Sequence, residues 1–221
     1  MPGRIEVESI HGSKARGFTL IELLAVIGLI TVILGVLSFS LEGGGTAVGL
    51  QNGQAMVSSL VSAARGKAAL TGNGSRLVLV ADADHPNEYL RCLAVLYIDQ
   101  SGSWVQNDDL VYLPESIGVV PPDSVTVPVV DGIVWGTAEV SEFSSGSTMS
   151  VEIDGHLMDC WYVSFTSRGT VDGSGLQIVL STVQRTADGF AFDNPSNMRG
   201  LRISSYGVQT LIDGADGFPS G

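Results

Sequence analysis

The sequence predicts an α+β chain: a long N-terminal hydrophobic helix, followed by a C-terminal antiparallel β-sheet domain packed on the helix. Three observations predict it. Residues 18–39 are almost unbroken apolar sequence. Val57, Leu60, Val61, Ala64 and Ala68 recur at helical spacing. Beyond residue 75, short runs rich in Val, Ile, Leu and aromatics alternate with clusters of Gly, Pro, Asp and Asn.

The first element lies within KARGFTLIELLAVIGLITVILGVLSFS, where the only polar side chains between Phe18 and Phe39 are Thr19, Glu22, Thr31 and Ser38. A helix of about 22 residues rises roughly 33 Å, enough to cross a bilayer core. Lys14 and Arg16 stand just before the run and no basic residue follows until Arg65, which puts the N-terminus in the cytoplasm and the rest outside. A secretory signal peptide would have an apolar core of only about 7–15 residues. An ordinary anchor would leave Glu22 unexplained, because an intramembrane acid costs at least about 2.5 kcal/mol and is kept for a partner.

The next stretch, residues 41–53, holds Gly43, Gly44, Gly45, Gly49 and Gly53. Each weakens a helix by about 1 kcal/mol relative to Ala, so a flexible joint or a broken helix is expected there. The apolar spacing then predicts an amphipathic helix over 54–70, ended by the turn chemistry of LTGNG. Strands are predicted over 75–82, 89–99, 109–114, 123–130, 160–167, 175–183 and 200–212, giving a β-rich part from 75 to 212.

The formal net charge is −12 over 221 residues. Three of the 11 basic residues, Arg4, Lys14 and Arg16, precede the apolar block, and only three of the 23 acids, Glu6, Glu8 and Glu22, stand before or in it. A domain so acidic repels phosphate backbones, and Arg199 with Arg202 is a thin basic patch, so nucleic acid is not expected as a partner. Cys92 and Cys160 each fall in a predicted strand. Outside a membrane they are candidates for a disulfide, or alternatively two buried thiols acting as small hydrophobes.

RGFTLIELLAVI resembles the prepilin-type N-terminus shared by type IV pilins and type II secretion pseudopilins: a short basic leader ending in Gly, then Phe, a Thr-Leu-Ile-Glu-Leu core and a long apolar helix. The resemblance implies a leader over 1–17, cleaved after Gly17 by a prepilin peptidase, and methylation of the new N-terminal Phe18. It implies that the helix over 18–40 is transmembrane before assembly and becomes filament core afterwards. Glu22, the fifth residue of the processed chain, would meet the N-terminal amine of a neighbouring subunit. A buried acid is tolerable beside a buried cation, and a pair between chains also sets axial register. An exported globular domain over 54–221 would follow the 41–53 joint.

Two further passages, SAARGKAALTGNGSRLVLV and SFTSRGTVDGSGLQIVLS followed by RGLRISSYGVQTLI, resemble the H-type minor pseudopilins and the related FimT-type minor pilins. The resemblance implies a final hairpin with a Gly turn, and as partners other minor and major pilins or pseudopilins, secreted cargo and the membrane. FimT-type pilins bind DNA through basic C-terminal residues, whereas this tail, LIDGADGFPSG, is acidic. A minor type IV pilin serving adhesion, motility or DNA uptake is the alternative. Residues 99–159 match no known pattern.

No enzyme, cofactor or metal is expected. Asp82, Asp84, His85 and Glu88 cluster in DADHPNE, and Asp154, His156, Asp159 and Cys160 in DGHLMDC, but neither has a zinc ligand spacing or the oxygen-rich pattern of a calcium loop. Both read as polar turns. Gly173 to Gly175 is not a nucleophile elbow, and only His11, His85 and His156 are available as a base. Trp104, Trp135 and Trp161 read as core or sheet residues, with Trp135, in a Gly-flanked segment, equally a candidate for a partner surface.

Overall fold

The computed structural model describes residues 20–107, 110–122, 126–134, 140–144, 148–153, 155–186 and 189–218; of residues 32–44 and 190 it describes the backbone alone. The chain divides into two compact units, 1–43 and 44–221. One helix, α1 (Leu20–Thr71), contributes its first part to one unit and the remainder to the other.

In the second unit, α1 buries Val57, Val61, Ala64 and Ala68 of the stripe that the 3.6-residue spacing predicts, with Leu60 packed at its margin, and also Leu50, which precedes that stripe. The helix ends at Thr71, and Gly72 follows with φ +67°, the left-handed conformation that closes helices most readily when the residue is Gly. The backbone is helical across Gly43, Gly44, Gly45, Gly49 and Gly53, where the sequence predicts a flexible joint or a broken helix. Packing explains two of these glycines: a Cβ on Gly49 would stand 3.3 Å from Ser116 Oγ, and one on Gly53 3.3 Å from Ile117 Cγ2. They bring the helix close to the sheet, and that contact outweighs their poor helix propensity.

Among the described residues eleven strands follow: β1 (Ser75–Val80), β2 (Cys92–Ile98), β3 (Trp104–Gln106), β4 (Val111–Tyr112), β5 (Ile117–Val119), β6 (Met149–Ile153), β7 (His156–Phe165), β8 (Leu176–Thr186), β9 (Gly189–Phe192), β10 (Met198–Ile203) and β11 (Gln209–Asp213). Two antiparallel sheets form. The first has the order β3-β2-β1-β7-β6 with β4 also on β2; the second has the order β11-β10-β8-β5 with β9 on β8. Of the predicted strand over 123–130, the described part makes only a parallel bridge from Val129 to Phe192. Pro128, which has no N–H to donate, accepts from the Phe192 amide instead.

The main core joins the helix stripe to Leu77 and Leu79 of β1, Trp161, Val163 and Phe165 of β7, Ile178 and Leu180 of β8, and Leu201 and Ile203 of β10. Alternation along the strands of the first sheet sends the intervening side chains to its other face. There Val78, Val80, Cys92, Ala94, Leu96 and Cys160 form a second apolar cluster with Val151, Ile153 and Met158. β1, central in that sheet, is therefore covered on both faces.

Candidate functional site

Two candidate regions matter: the apolar start of α1 and the face where its later turns meet the sheets. From 20 to 31 every side chain is exposed. Leu20 (77%), Ile21, Leu23, Leu24, Val26, Ile27, Leu29 and Ile30 (49%) point in all directions round the helix. A helix apolar all round is one that an assembly or a membrane covers. Glu22, in the first described turn, is the only charge in this stretch. The Thr31 hydroxyl donates back to the Ile27 carbonyl, which removes the one other polar group from competition. Gly17 and Phe18 lie outside the described residues. Among the described residues no helix is long and apolar enough to cross a membrane; the side chains of 32–39, which complete the run, are not among them.

In the second unit the helix is fixed by directional bonds. Gln54, 4% exposed, donates from Nε2 to the carbonyls of Gly200 (2.7 Å) and Ile212 (2.9 Å), residues paired across β10 and β11. One turn later, Ser58 Oγ donates to Gln209 Oε1, and Gln209 Nε2 donates to Ser62 Oγ. Arg65 Nε reaches the Gly169 carbonyl, and the buried Ser75 hydroxyl donates to Ala64. None of these partners was legible beforehand, because each joins residues distant in sequence or pairs a side chain with a backbone carbonyl.

The cysteines do not form a disulfide. Cys92 on β2 and Cys160 on β7 flank Val80 of β1 on the same sheet face, both fully buried. Two strand spacings separate them by about 9.5 Å, beyond the roughly 7 Å that a disulfide bridges. Burial, then Cys92, Asp159 and Asp82, push the Cys160 thiol up to about 12. The small-hydrophobe alternative is the one the fold adopts.

Arg199 is tied to Asp213 across the β10–β11 hairpin at 3.2 Å, so it and Arg202 do not act as one open basic patch. Trp161 is buried and stacks on Phe143 at 5.6 Å between ring centroids. Trp104, by contrast, is 38% exposed and covers one side of Arg76, whose guanidinium lies 4.3 Å from its ring centroid and 4.4 Å from that of Tyr162. Trp135 and Asp154 lie outside the described residues. The two polar clusters of the sequence are brought together: His85 and His156 meet with ring centroids 5.6 Å apart. No group of three or more His, Cys, Asp or Glu among the described residues is placed to enclose a metal.

Comparison with known proteins agrees with the N-terminal reading. Residues 12–38 match the family model described as the prokaryotic N-terminal methylation motif. No curated protein matches the chain. Among solved structures, the minor pseudopilin EpsH of the type 2 secretion system of Vibrio cholerae is similar at 11% identity, covering 74% of this chain and 96% of that one with a TM-score of 0.41. The type IV minor pilin FimU of Pseudomonas aeruginosa is similar at 13% identity, covering 78% and 93% with a TM-score of 0.43.

Proposed function

We propose that this prepilin-type chain is a minor pseudopilin-like structural subunit, of the H type, in an envelope-spanning filament that serves type II protein secretion. The observation that carries the reading is the methylation motif over residues 12–38 together with a helix exposed and apolar on every side from 20 to 31 save for Glu22 and Thr31. The chain is made in the inner membrane with its N-terminus in the cytoplasm. A prepilin peptidase cuts after Gly17 and Phe18 is methylated. The globular domain then stands in the periplasm, and the apolar helix leaves the lipid to pack among the helices of other minor and major subunits. Such a step exchanges one apolar surrounding for another, so it has little hydrophobic driving force and needs packing and polar contacts to direct it.

Glu22 supplies the polar contact in this reading. Its carboxylate meets the N-terminal amine of the neighbouring subunit, and misalignment leaves a charge in an apolar surrounding. The β domain contacts other minor subunits or secreted cargo. Glu22→Ala is expected to be cleaved normally and to fail in incorporation; normal assembly of that variant refutes the role given to the acid.

The machine is tested by deleting the gene and comparing secreted proteins and surface pili with those of the parent strain. Loss of secreted proteins with pili intact is expected. Loss of pili, adhesion or DNA uptake with secretion intact would make the chain a minor type IV pilin instead.

A further inference from the structure

We propose that His85 and His156 form a two-histidine site for a late first-row divalent cation such as Zn²⁺. The two residues come from polar segments that are far apart in sequence, and each is positioned by its own local geometry. His85 sits in the turn that follows β1, where its amide donates to the Asp82 carbonyl and its own carbonyl accepts from Glu88 and Tyr89. His156 is the first residue of β7, paired with Ile153 across the hairpin turn that Gly155 makes with φ +79°. Register carries the two together: Val80 lies opposite Cys160, and the Ala81 amide donates to Asp159, so the chain leaving β1 runs beside the start of β7.

The spacing fits a shared ion. A Zn–N bond of about 2.1 Å plus a ring radius of about 1.1 Å puts each centroid about 3.2 Å from the metal, and a tetrahedral angle between two such ligands separates the centroids by about 5.2 Å. The observed centroid separation is 5.6 Å, close to that value, with the ring planes tilted by 51°. His156 is exposed and His85 half-buried, so an ion can reach both. Two imidazoles select Zn²⁺, Cu²⁺ or Ni²⁺ over Mg²⁺ and Ca²⁺, which need oxygen ligands. The formal charge of −12 draws cations to the surface. Water would complete the coordination, since no third His, Cys, Asp or Glu among the described residues joins the pair. The bound ion would staple the turn after β1 to the β6–β7 hairpin.

The test is calorimetric titration of the full chain in detergent with ZnCl₂, alongside His85→Gln, His156→Gln and the double variant. Loss of either ligand is expected to weaken binding by at least the roughly 10–100-fold that loss of an outer-shell partner costs, and the double variant to bind no more tightly than the weaker single one. MgCl₂ is expected to give no heat of binding. A second measurement needs no substitution: Zn²⁺ is expected to protect His85 and His156, but not His11, from diethyl pyrocarbonate, read by mass spectrometry. Binding that survives either substitution, histidines that react equally with and without Zn²⁺, or an unsubstituted chain that does not bind Zn²⁺ would overturn the proposal.

Discussion

Gln54→Ala tests how the helix is held on the β domain. The Gln54 amide is buried and donates to the carbonyls of both Gly200 and Ile212, residues paired across β10 and β11. Those residues remain joined by the sheet, so truncation removes two side-chain bonds without breaking a ladder. At about 1 kcal/mol per bond, plus a small cavity, the loss is about 2–3 kcal/mol. For a unit of this size it corresponds to a fall of about 4–12 °C in Tm. Urea unfolding of residues 44–221, followed by tryptophan fluorescence, would measure it. Gln54→Glu sharpens the test, because a carboxylate would face two carbonyl oxygens in a buried place. Burial and those oxygens raise the folded-state pKa of such an acid, so the variant is least destabilised at low pH and loses stability as pH rises past the unfolded-state value. A Gln54→Ala protein within about 0.5 kcal/mol of the parent, typical of an inconsequential surface change, or a Gln54→Glu protein with no added pH dependence, would refute the claim that this amide anchors the helix.

Burial holds the Cys160 thiol at about 12 against an ordinary 9.0, so alkylation at pH 8 is expected only after unfolding. The thiolate is disfavoured in the fold, so stability is retained below pH 9 and falls as pH rises from there towards 12; mass spectrometry and alkaline unfolding check the two statements. Arg76→Met removes two cation–π contacts and the bond from Nε to Ser164 Oγ, with an expected cost of about 1–2 kcal/mol and a change in Trp104 fluorescence. Gly45→Ala meets no atom within 4 Å and is expected to stabilise the helix by about 0.5–1 kcal/mol, whereas Gly53→Val drives a branched side chain into Ile117 and Leu180 at a cost of about 1–3 kcal/mol, both read from unfolding curves.

What the sequence made legible follows from range. β1, β2, β7 and β8 are long runs of Val, Ile, Leu and aromatics, and the helix stripe from Val57 to Ala68 repeats a local period. The hairpin of β10 and β11 turns at Gly207, φ +76°, as the family resemblance implies. β6 was readable in principle, since Met149, Val151 and Ile153 alternate with Ser150 and Glu152, but five residues beside a Gly- and Ser-rich stretch give a weak signal. β5 has three residues and exists because β8 pairs with it. At the candidate sites, Glu22 was legible as the one acid in an apolar run. Gln54, the Arg76 stack and the meeting of His85 with His156 were not, because each depends on partners that only the sheet register brings near.

The two units solve opposite problems with the same helix. Along residues 44–71 apolar packing is supplemented by bonds from Gln54, Ser58, Arg65 and to Ser75, each of which requires one alignment of helix and sheet. From 20 to 31 the exposed side chains are apolar on every side, and apolar contact is non-directional: it rewards burial at about 25 cal/mol per Å² without choosing between positions one turn apart. A helix that packed by that surface alone could slip by about 5.4 Å with little penalty. A single carboxylate changes this, because a slip strands the charge in apolar surroundings at a cost of several kcal/mol. Under the proposed assembly, Glu22 is therefore valuable because it is the only charge among these residues: a second one would add an alternative pairing and weaken the register that the first defines.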